Sequence, residues 1–218
     1  PSSAASDVYK RQALPPAVTL GFAPYGTDLD AQVAQARASG HEVVLQVPME
    51  SFNPPDGAAA MPHLLATGRT TRETLDDFAW QMSRFVGYAG VTSFLGAKFT
   101  ADAGAFTPVL KDVGARGLFF LDDGTAPRNL ATTAGPPLGV PVVKADVVID
   151  ALGEPEAIEA SLRKLEKVAQ SRGAAVGSTT GLPNAVDRVA AFTARLAADG
   201  VTLVPVSSLV AATPTGRP

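Results

Sequence analysis

Short apolar runs recur along the chain, and segments rich in glycine, proline and polar residues separate them. Eight runs contain many β-branched residues and end at turn-forming residues, a pattern that predicts β-strands. Most are continuous rather than alternating, which is typical of strands buried on both faces of a parallel sheet. The predicted strands are Val18–Phe22, Val43–Val47, Ala89–Phe94, Gly117–Leu121, Val142–Val143, Val147–Ile149, Ala174–Gly177 and Val201–Val206.

Helical periodicity fills the segments between these strands. Thr70 and Glu73 have the spacing of a capping box, and apolar residues recur every three or four positions after them. Pro108 makes another helical segment less regular, since proline must either begin a helix or kink it. That segment runs from Ala101 to Ala115. The other helical patterns run from Leu29 to Ala36, from Ile158 to Ala169 and from Val186 to Leu196.

Alternation of strands and helices predicts an α/β fold with a mostly parallel sheet. Two architectures fit this pattern, an open doubly wound sheet and a (β/α) barrel. About seven strand–helix units follow one another without a change of composition, which favours one barrel domain over residues 14–218. Residues 1–13 lack an apolar period, so we interpret them as a non-native or disordered tail.

Composition and charge exclude several classes of function. The 218 residues are 46% hydrophobic and 18% charged, with a net charge of −3, which gives no electrostatic footprint for nucleic acid. Cysteine is absent, so disulfides and thiolate chemistry are excluded, and 2 histidines are too few for a zinc site built from several imidazoles. No apolar run approaches the roughly 20 residues that span a bilayer.

Candidate site residues follow from the rule that both architectures bind ligands at the carboxyl ends of their strands. Asp122 and Asp123 end one strand, where adjacent carboxylates could bind a metal, transfer protons or hold sugar hydroxyls. Alternatively, one aspartate caps the following Asp-Gly turn and the other faces water. Glu50 ends another strand at the entrance to a long connection, and Lys98 follows a third.

The remaining chemistry is sparse. His41 precedes its strand and is predicted to be structural, whereas His63 lies in the long connection over 50–70, a kind of loop that is often functional or mobile. The GxSxG, GxGxxG, GxxxxGK[ST] and HExxH motifs do not occur. The residues therefore predict a pocket without naming its reaction.

Six segments around the predicted strand ends carry a family resemblance. They are LPPAVTLGFAPY (14–25), GHEVVLQVPME (40–50), FLGAKFT (94–100), FLDDGT (120–125), ADVVID (145–150) and LVPVSSL (203–209). In this order they resemble the divergent polysaccharide deacetylase family. The resemblance implies an irregular (β/α)7 barrel and a periplasmic or envelope-associated location. Active relatives remove N-acetyl groups from polysaccharides with a divalent metal, usually zinc, and a carboxylate base.

Residue by residue, the resemblance implies a reduced site. An aspartate-bearing first strand should precede Leu14, where residues 1–13 stand, so this strand is predicted to be missing or replaced. Metal-binding members have histidines at or near the positions of Gln46, Phe94 and Ser178, so no metal ligand is assigned. The predicted site comprises the catalytic candidates Asp122, Asp123 and Glu50 and the substrate-binding candidates Tyr25, Gln46, Lys98 and Ser178.

Two functions follow as hypotheses. One is a metal-dependent deacetylase of an envelope polysaccharide built from N-acetylated amino sugars. The other is a non-catalytic barrel that binds a glycan, or another envelope partner, through the same strand ends. An open-sheet protein that binds small molecules is a third possibility. If the last predicted strand lies beside the first, the sheet is closed and this possibility is excluded.

Overall fold

Seven strands and six α-helices alternate along the computed structural model, which describes residues 14–210. The interpretation of residues 1–13 as a tail that replaces a first strand lies outside the described residues. The strands are β1 Leu20–Phe22, β2 Val43–Met49, β3 Gly90–Leu95, β4 Phe119–Asp122, β5 Val142–Lys144, β6 Val147–Val148 and β7 Gly177–Ser178. The helices are α1 Leu29–Ala38, α2 Thr71–Met82, α3 Ala103–Ala115, α4 Ala131–Ala134, α5 Pro155–Arg172 and α6 Pro183–Arg195.

All strand pairs are parallel, which confirms the predicted α/β class. Strands β1 to β5 form one sheet in chain order, and β6 and β7 form a second, two-stranded sheet. A doubly wound open sheet reverses its strand order at a switch point. The five-stranded sheet contains no reversal, so its order is that of a barrel.

The ring is not closed by strand pairing within residues 14–210, because no ladder joins β5 to β6 or β7 to β1. The chain changes partners between β5 and β6. Ala145 N donates to Asp122 O of β4 at 2.8 Å, whereas Asp146 N donates to Val176 O, next to β7, also at 2.8 Å. Adjacent residues thus bond to the two different sheets, and the hydrogen-bonded ladder is interrupted between β5 and β6.

The prediction of a strand over Val201–Val206 is wrong. This segment pairs with no strand, and a short 3₁₀ turn follows at Val206–Leu209. Its apolar pattern arises because Val201 and Leu203 pack against the α5–α6 core. Pro205 disfavours strand pairing, because it has no N–H group to donate to a neighbouring strand. Even so, the segment returns to the first strands, where Val206 N donates to the Thr19 hydroxyl at 3.1 Å.

Two large apolar cores and a third, smaller cluster of buried residues hold residues 14–210 together. The largest core lies between the five-stranded sheet and helices α1–α3, and it includes Val43, Leu45, Val47 and Met49 from alternate positions of β2. Nearly every residue of β2 is buried, which explains its continuous apolar run. In the second core, Leu14 is buried with residues of α5 and α6, so the first described residues adjoin the last helices.

Local signals account for the helix termini. In α2 the predicted capping box forms, since Glu73 N donates to the Thr70 hydroxyl and Thr70 N donates to the Glu73 carboxylate. In α3 the Asp102 carboxylate accepts from Ala105 N at 3.0 Å and sets the first turn, while Pro108 lies inside the helix. No helix in the described part of the chain is both long and apolar enough to cross a membrane.

Candidate functional site

The structure brings Glu50 and Lys98 together at the carboxyl edge of the sheet, as their positions after β2 and β3 predict. Lys98 Nζ donates to Glu50 Oε1 at 2.7 Å. The other carboxylate oxygen, Oε2, accepts from Thr67 N at 2.8 Å and from the Thr67 hydroxyl at 2.6 Å. Glu50 thereby ties the end of the long connection to the loop that follows β3.

A strained turn brings Lys98 to this position. Leu95 and Gly96 are both left-handed, with φ of 63° and 82°, a conformation that a leucine rarely adopts. A Cβ on Gly96 would lie 3.1 Å from the Cβ atoms of Met49 and Ser93, so this close approach also requires glycine. The chain reverses there, and the Lys98 and Phe99 amides donate to the Glu50 carbonyl.

The surroundings of Glu50 lower its pKa below the ordinary value of a glutamate. Partial burial acts in the opposite direction, but hydrogen bonds from Lys98 and Thr67 and the charge of Lys98 outweigh it. Both carboxylate oxygens are engaged, and a low pKa makes the group a weak base. Its position fits a residue that holds Thr67 and Lys98 in place, and its assignment as a catalytic residue remains a prediction.

Asp122 at the end of β4 is fully buried. One carboxylate oxygen accepts from Gly124 N at 3.1 Å, whereas Oδ2 lies 3.8 Å from Lys144 Nζ and has no hydrogen-bond partner among the described residues. Burial raises the pKa of Asp122, and the Gly124 amide, the Lys144 charge and the adjacent Asn129 side chain only partly oppose it. Asp122 therefore releases its proton at a higher pH than an exposed aspartate would.

Asp123 and Ser178 both form hydrogen bonds at the end of β4, and their assignments as catalytic and substrate-binding residues stay predictions. The Asp123 carboxylate accepts from the amide and the hydroxyl of Thr125, at 3.0 and 2.7 Å, which is the turn-capping alternative considered for this pair. The Ser178 hydroxyl donates to the backbone carbonyl of Asp123 at 2.6 Å. Ser178 thus links the end of β4 to β7, across the gap between the two sheets.

Tyr25 contacts the long connection, and Gln46 packs against β1. The Tyr25 hydroxyl donates to the carbonyl of Pro62 at 2.6 Å, and partial burial raises its pKa. Gln46 is in the middle of β2 with its side chain against Gly21, where an added Cβ would lie 2.9 Å from Gln46 Cγ. Their predicted roles in substrate binding are not tested by these contacts.

The long connection over 50–70 is held against α2 by contacts that sequence reasoning missed. His63 Nδ1 lies 2.8 Å from Asp77 Oδ1, and the imidazole stacks on Trp80 with the ring centroids 4.0 Å apart. Buried Gln81 donates to the His63 carbonyl, and fully buried Leu65 forms a bridge with Met49 of β2. The loop is thus an ordered part of the domain.

A cleft of about 760 Å³ opens beside the Glu50–Lys98 pair. The guanidinium carbon of Arg128 lies 5.5 Å from the ring centroid of Phe52, and 52% of Phe52 is exposed. Sequence reasoning identified Lys98 in this cleft but missed Phe52, Arg128 and Asn129, which lie in loops. The lining residues are Phe52, Thr67, Lys98, Ala101, Asp102, Arg128, Asn129, Leu130 and Thr133.

The donor groups of the described residues do not fit zinc. Gln46, Phe94 and Ser178 supply no imidazole or carboxylate at the positions where the resemblance implies ligands. Both histidines are engaged elsewhere, since His41 Nδ1 donates to the Val18 carbonyl at 2.8 Å and His63 pairs with Asp77. Nowhere in residues 14–210 do three histidine, aspartate or glutamate side chains converge as metal ligands would.

Comparisons with known proteins agree with the fold and with the resemblance. The chain is 24% identical over 201 residues to the uncharacterized protein YibQ of Escherichia coli K12, covering 91% of this chain but 61% of that protein. It thus spans about three fifths of that relative's length. The crystal structure of the uncharacterized protein ATU2773 from Agrobacterium tumefaciens C58 matches with a TM-score of 0.89 and 33% identity, covering 94% of this chain and 83% of that one.

A family model provides the assignment. The model described as divergent polysaccharide deacetylase matches residues 3–210, and therefore includes most of the segment that was set aside as a tail. All six segments that carry the resemblance lie within this range. The chain belongs to the divergent polysaccharide deacetylase family.

Proposed function

We propose that this domain binds a polysaccharide of N-acetylated amino sugars in the bacterial envelope, without a zinc centre in residues 14–210. The observation that supports this most is the cleft beside Glu50 and Lys98, which combines an exposed aromatic ring with several hydrogen-bonding side chains. Family membership supports a carbohydrate as the ligand. The carboxyl ends of parallel strands are also where such folds bind ligands.

The chemistry of the cleft suits a sugar chain. A pyranose ring presents an apolar C–H face and a rim of hydroxyl and amide groups, so it needs a flat apolar surface and nearby donors and acceptors. Phe52 supplies the apolar surface, and Thr67, Asn129 and Thr133 supply polar groups along the wall. The volume of about 760 Å³ falls within the usual range for small-molecule sites.

The side chains of the site favour binding over hydrolysis. Amide hydrolysis needs a polarised carbonyl and an activated water, which active relatives obtain from a metal and a carboxylate base. Gln46, Phe94 and Ser178 do not supply the metal ligands, and both carboxylate oxygens of Glu50 already hold Thr67 and Lys98. Binding requires none of these groups to react.

Calorimetric titration with a tetramer of N-acetylglucosamine tests the proposal. We expect saturable binding that weakens about fivefold in Phe52→Ala, because a lost aromatic stacking contact is worth about 1 kcal/mol. Val86→Ala is the matched control, since Val86 is an exposed apolar residue that does not line the cleft. Acetate release that depends on a bound metal would replace the proposal with a deacetylase, and absence of binding would refute it.

A further inference from the structure

We propose that the glycan carries a carboxylate and that Arg128 recognises it. This inference rests on the proposed function and adds the chemical class of the ligand. It follows from the charges that line the cleft and from the groups that neutralise them. Two cations, Lys98 and Arg128, and one acidic side chain, Asp102, take part in the lining.

Lys98 and Asp102 are already paired within the domain. Lys98 Nζ lies 2.7 Å from Glu50 Oε1, so its charge is balanced inside the fold. The Asp102 carboxylate accepts from Ala105 N and caps the amino terminus of α3, where the helix dipole favours a negative charge. These two residues therefore stabilise the walls of the cleft.

Arg128 differs from both of these residues. Among residues 14–210, no aspartate or glutamate forms an ion pair with its guanidinium. The guanidinium instead lies over the ring of Phe52. An aromatic ring offers the guanidinium no oxygen or nitrogen acceptor, so this contact leaves its N–H donors available to another group.

The free donors of a held guanidinium match a planar carboxylate. Two parallel N–H groups can donate to the two oxygens of one carboxylate, and such charge-assisted pairs are stronger than hydrogen bonds to a neutral hydroxyl or amide. Phe52 restricts the orientation of Arg128 before the ligand arrives, which lowers the cost of ordering the side chain. The cleft should therefore prefer an acidic sugar chain to a neutral one of equal length.

Two tetrasaccharides test this preference. One is the neutral N-acetylglucosamine tetramer, and the other alternates N-acetylglucosamine with N-acetylmuramic acid, which adds carboxylates to the same backbone. We expect wild type to bind the acidic tetramer about tenfold more tightly at low salt. Arg128→Gln should abolish this difference, and Arg128→Lys should retain only part of it.

Arg163→Gln is the control for charge, because Arg163 is an exposed arginine of α5 that lines a separate groove. It should leave the preference for the acidic tetramer unchanged. Equal affinity of wild type for both tetramers, or a preference that survives in Arg128→Gln, would overturn this inference and leave the proposed function standing. Failure of both tetramers to bind would overturn the proposed function itself.

Discussion

Glu50→Gln tests whether Glu50 holds the site together. The carboxylate accepts three hydrogen bonds, from Lys98 Nζ and from the amide and hydroxyl of Thr67, at 2.7, 2.8 and 2.6 Å. Glutamine has nearly the same shape but no charge. Its single oxygen can still accept from Thr67, which turns its NH₂ group towards the Lys98 ammonium, so that one donor faces another.

The expected loss is about 1–2 kcal/mol in the free energy of unfolding near neutral pH. Hydrogen bonds to a charged group contribute about 1.5–3 kcal/mol each in buried sites. The side chains of Glu50 and Lys98 are 25% and 40% exposed, so their pair is screened and contributes about 0.2–1 kcal/mol. The bonds from Thr67 weaken without disappearing. In a chain of this length, each kcal/mol lowers Tm by about 2–4 °C.

The loss should depend on pH in a defined direction. The pKa of Glu50 is lower in the folded protein than in the unfolded chain, so its contribution is present above the ordinary pKa of glutamate. That contribution disappears as the pH falls through the folded pKa. The difference between wild type and Glu50→Gln should therefore be largest near pH 7 and shrink at lower pH.

Urea unfolding at about pH 7 and about pH 3 measures this difference. Asp56→Asn, which changes an exposed aspartate of the long connection, is the control and should leave the free energy of unfolding nearly unchanged at both pH values. Adding Lys98→Met in a double-mutant cycle isolates the coupling between the two side chains. A difference of the same size at both pH values, or none at pH 7, would contradict the assigned role.

Two further predictions concern buried residues. Burial raises the pKa of Asp122, so wild type should lose stability relative to Asp122→Asn as the pH rises from the ordinary pKa of aspartate through the folded value. Urea unfolding at about pH 3 and about pH 8 checks this, and a difference in the free energy of unfolding that stays constant would contradict it. Leu65→Ala should lower the free energy of unfolding by about 2–5 kcal/mol and speed proteolytic cleavage within 50–70, because Leu65 is fully buried. Leu64→Ala, at a half-buried site, is the control, and equal losses in the two variants would contradict the role of Leu65 in holding the long connection.

Most of the fold could be predicted because its determinants are local. Continuous apolar runs identified β1 to β4 and the Thr70–Glu73 spacing identified the start of α2, since burial on both faces and helix capping leave marks in adjacent residues. The run over Val201–Val206 failed this test. An apolar run indicates that side chains are buried, but it does not indicate whether the backbone pairs with another strand.

The site was only partly predictable. Strand ends placed Glu50 and Lys98 correctly, because parallel strands bring their carboxyl ends to one edge. Phe52 and Arg128 meet across two loops, and His63 meets Asp77 across a loop and a helix. Loop conformation depends on tertiary contacts, so no local sequence pattern predicted these pairs. The turn at Asp123 was considered, whereas complete burial of Asp122 was not.

The attachment of the last segment to β1 bears on the order of folding. Val206 N and the Thr19 hydroxyl are 187 residues apart in sequence, and the nearby Ser207 amide donates to Glu42. Closing a flexible loop of that length costs on the order of 5 kcal/mol in entropy. Two hydrogen bonds of about 1 kcal/mol each cannot offset it. We therefore expect the five-stranded sheet and the α5–α6 core to form first and bring these ends together, so that the two hydrogen bonds form late in folding.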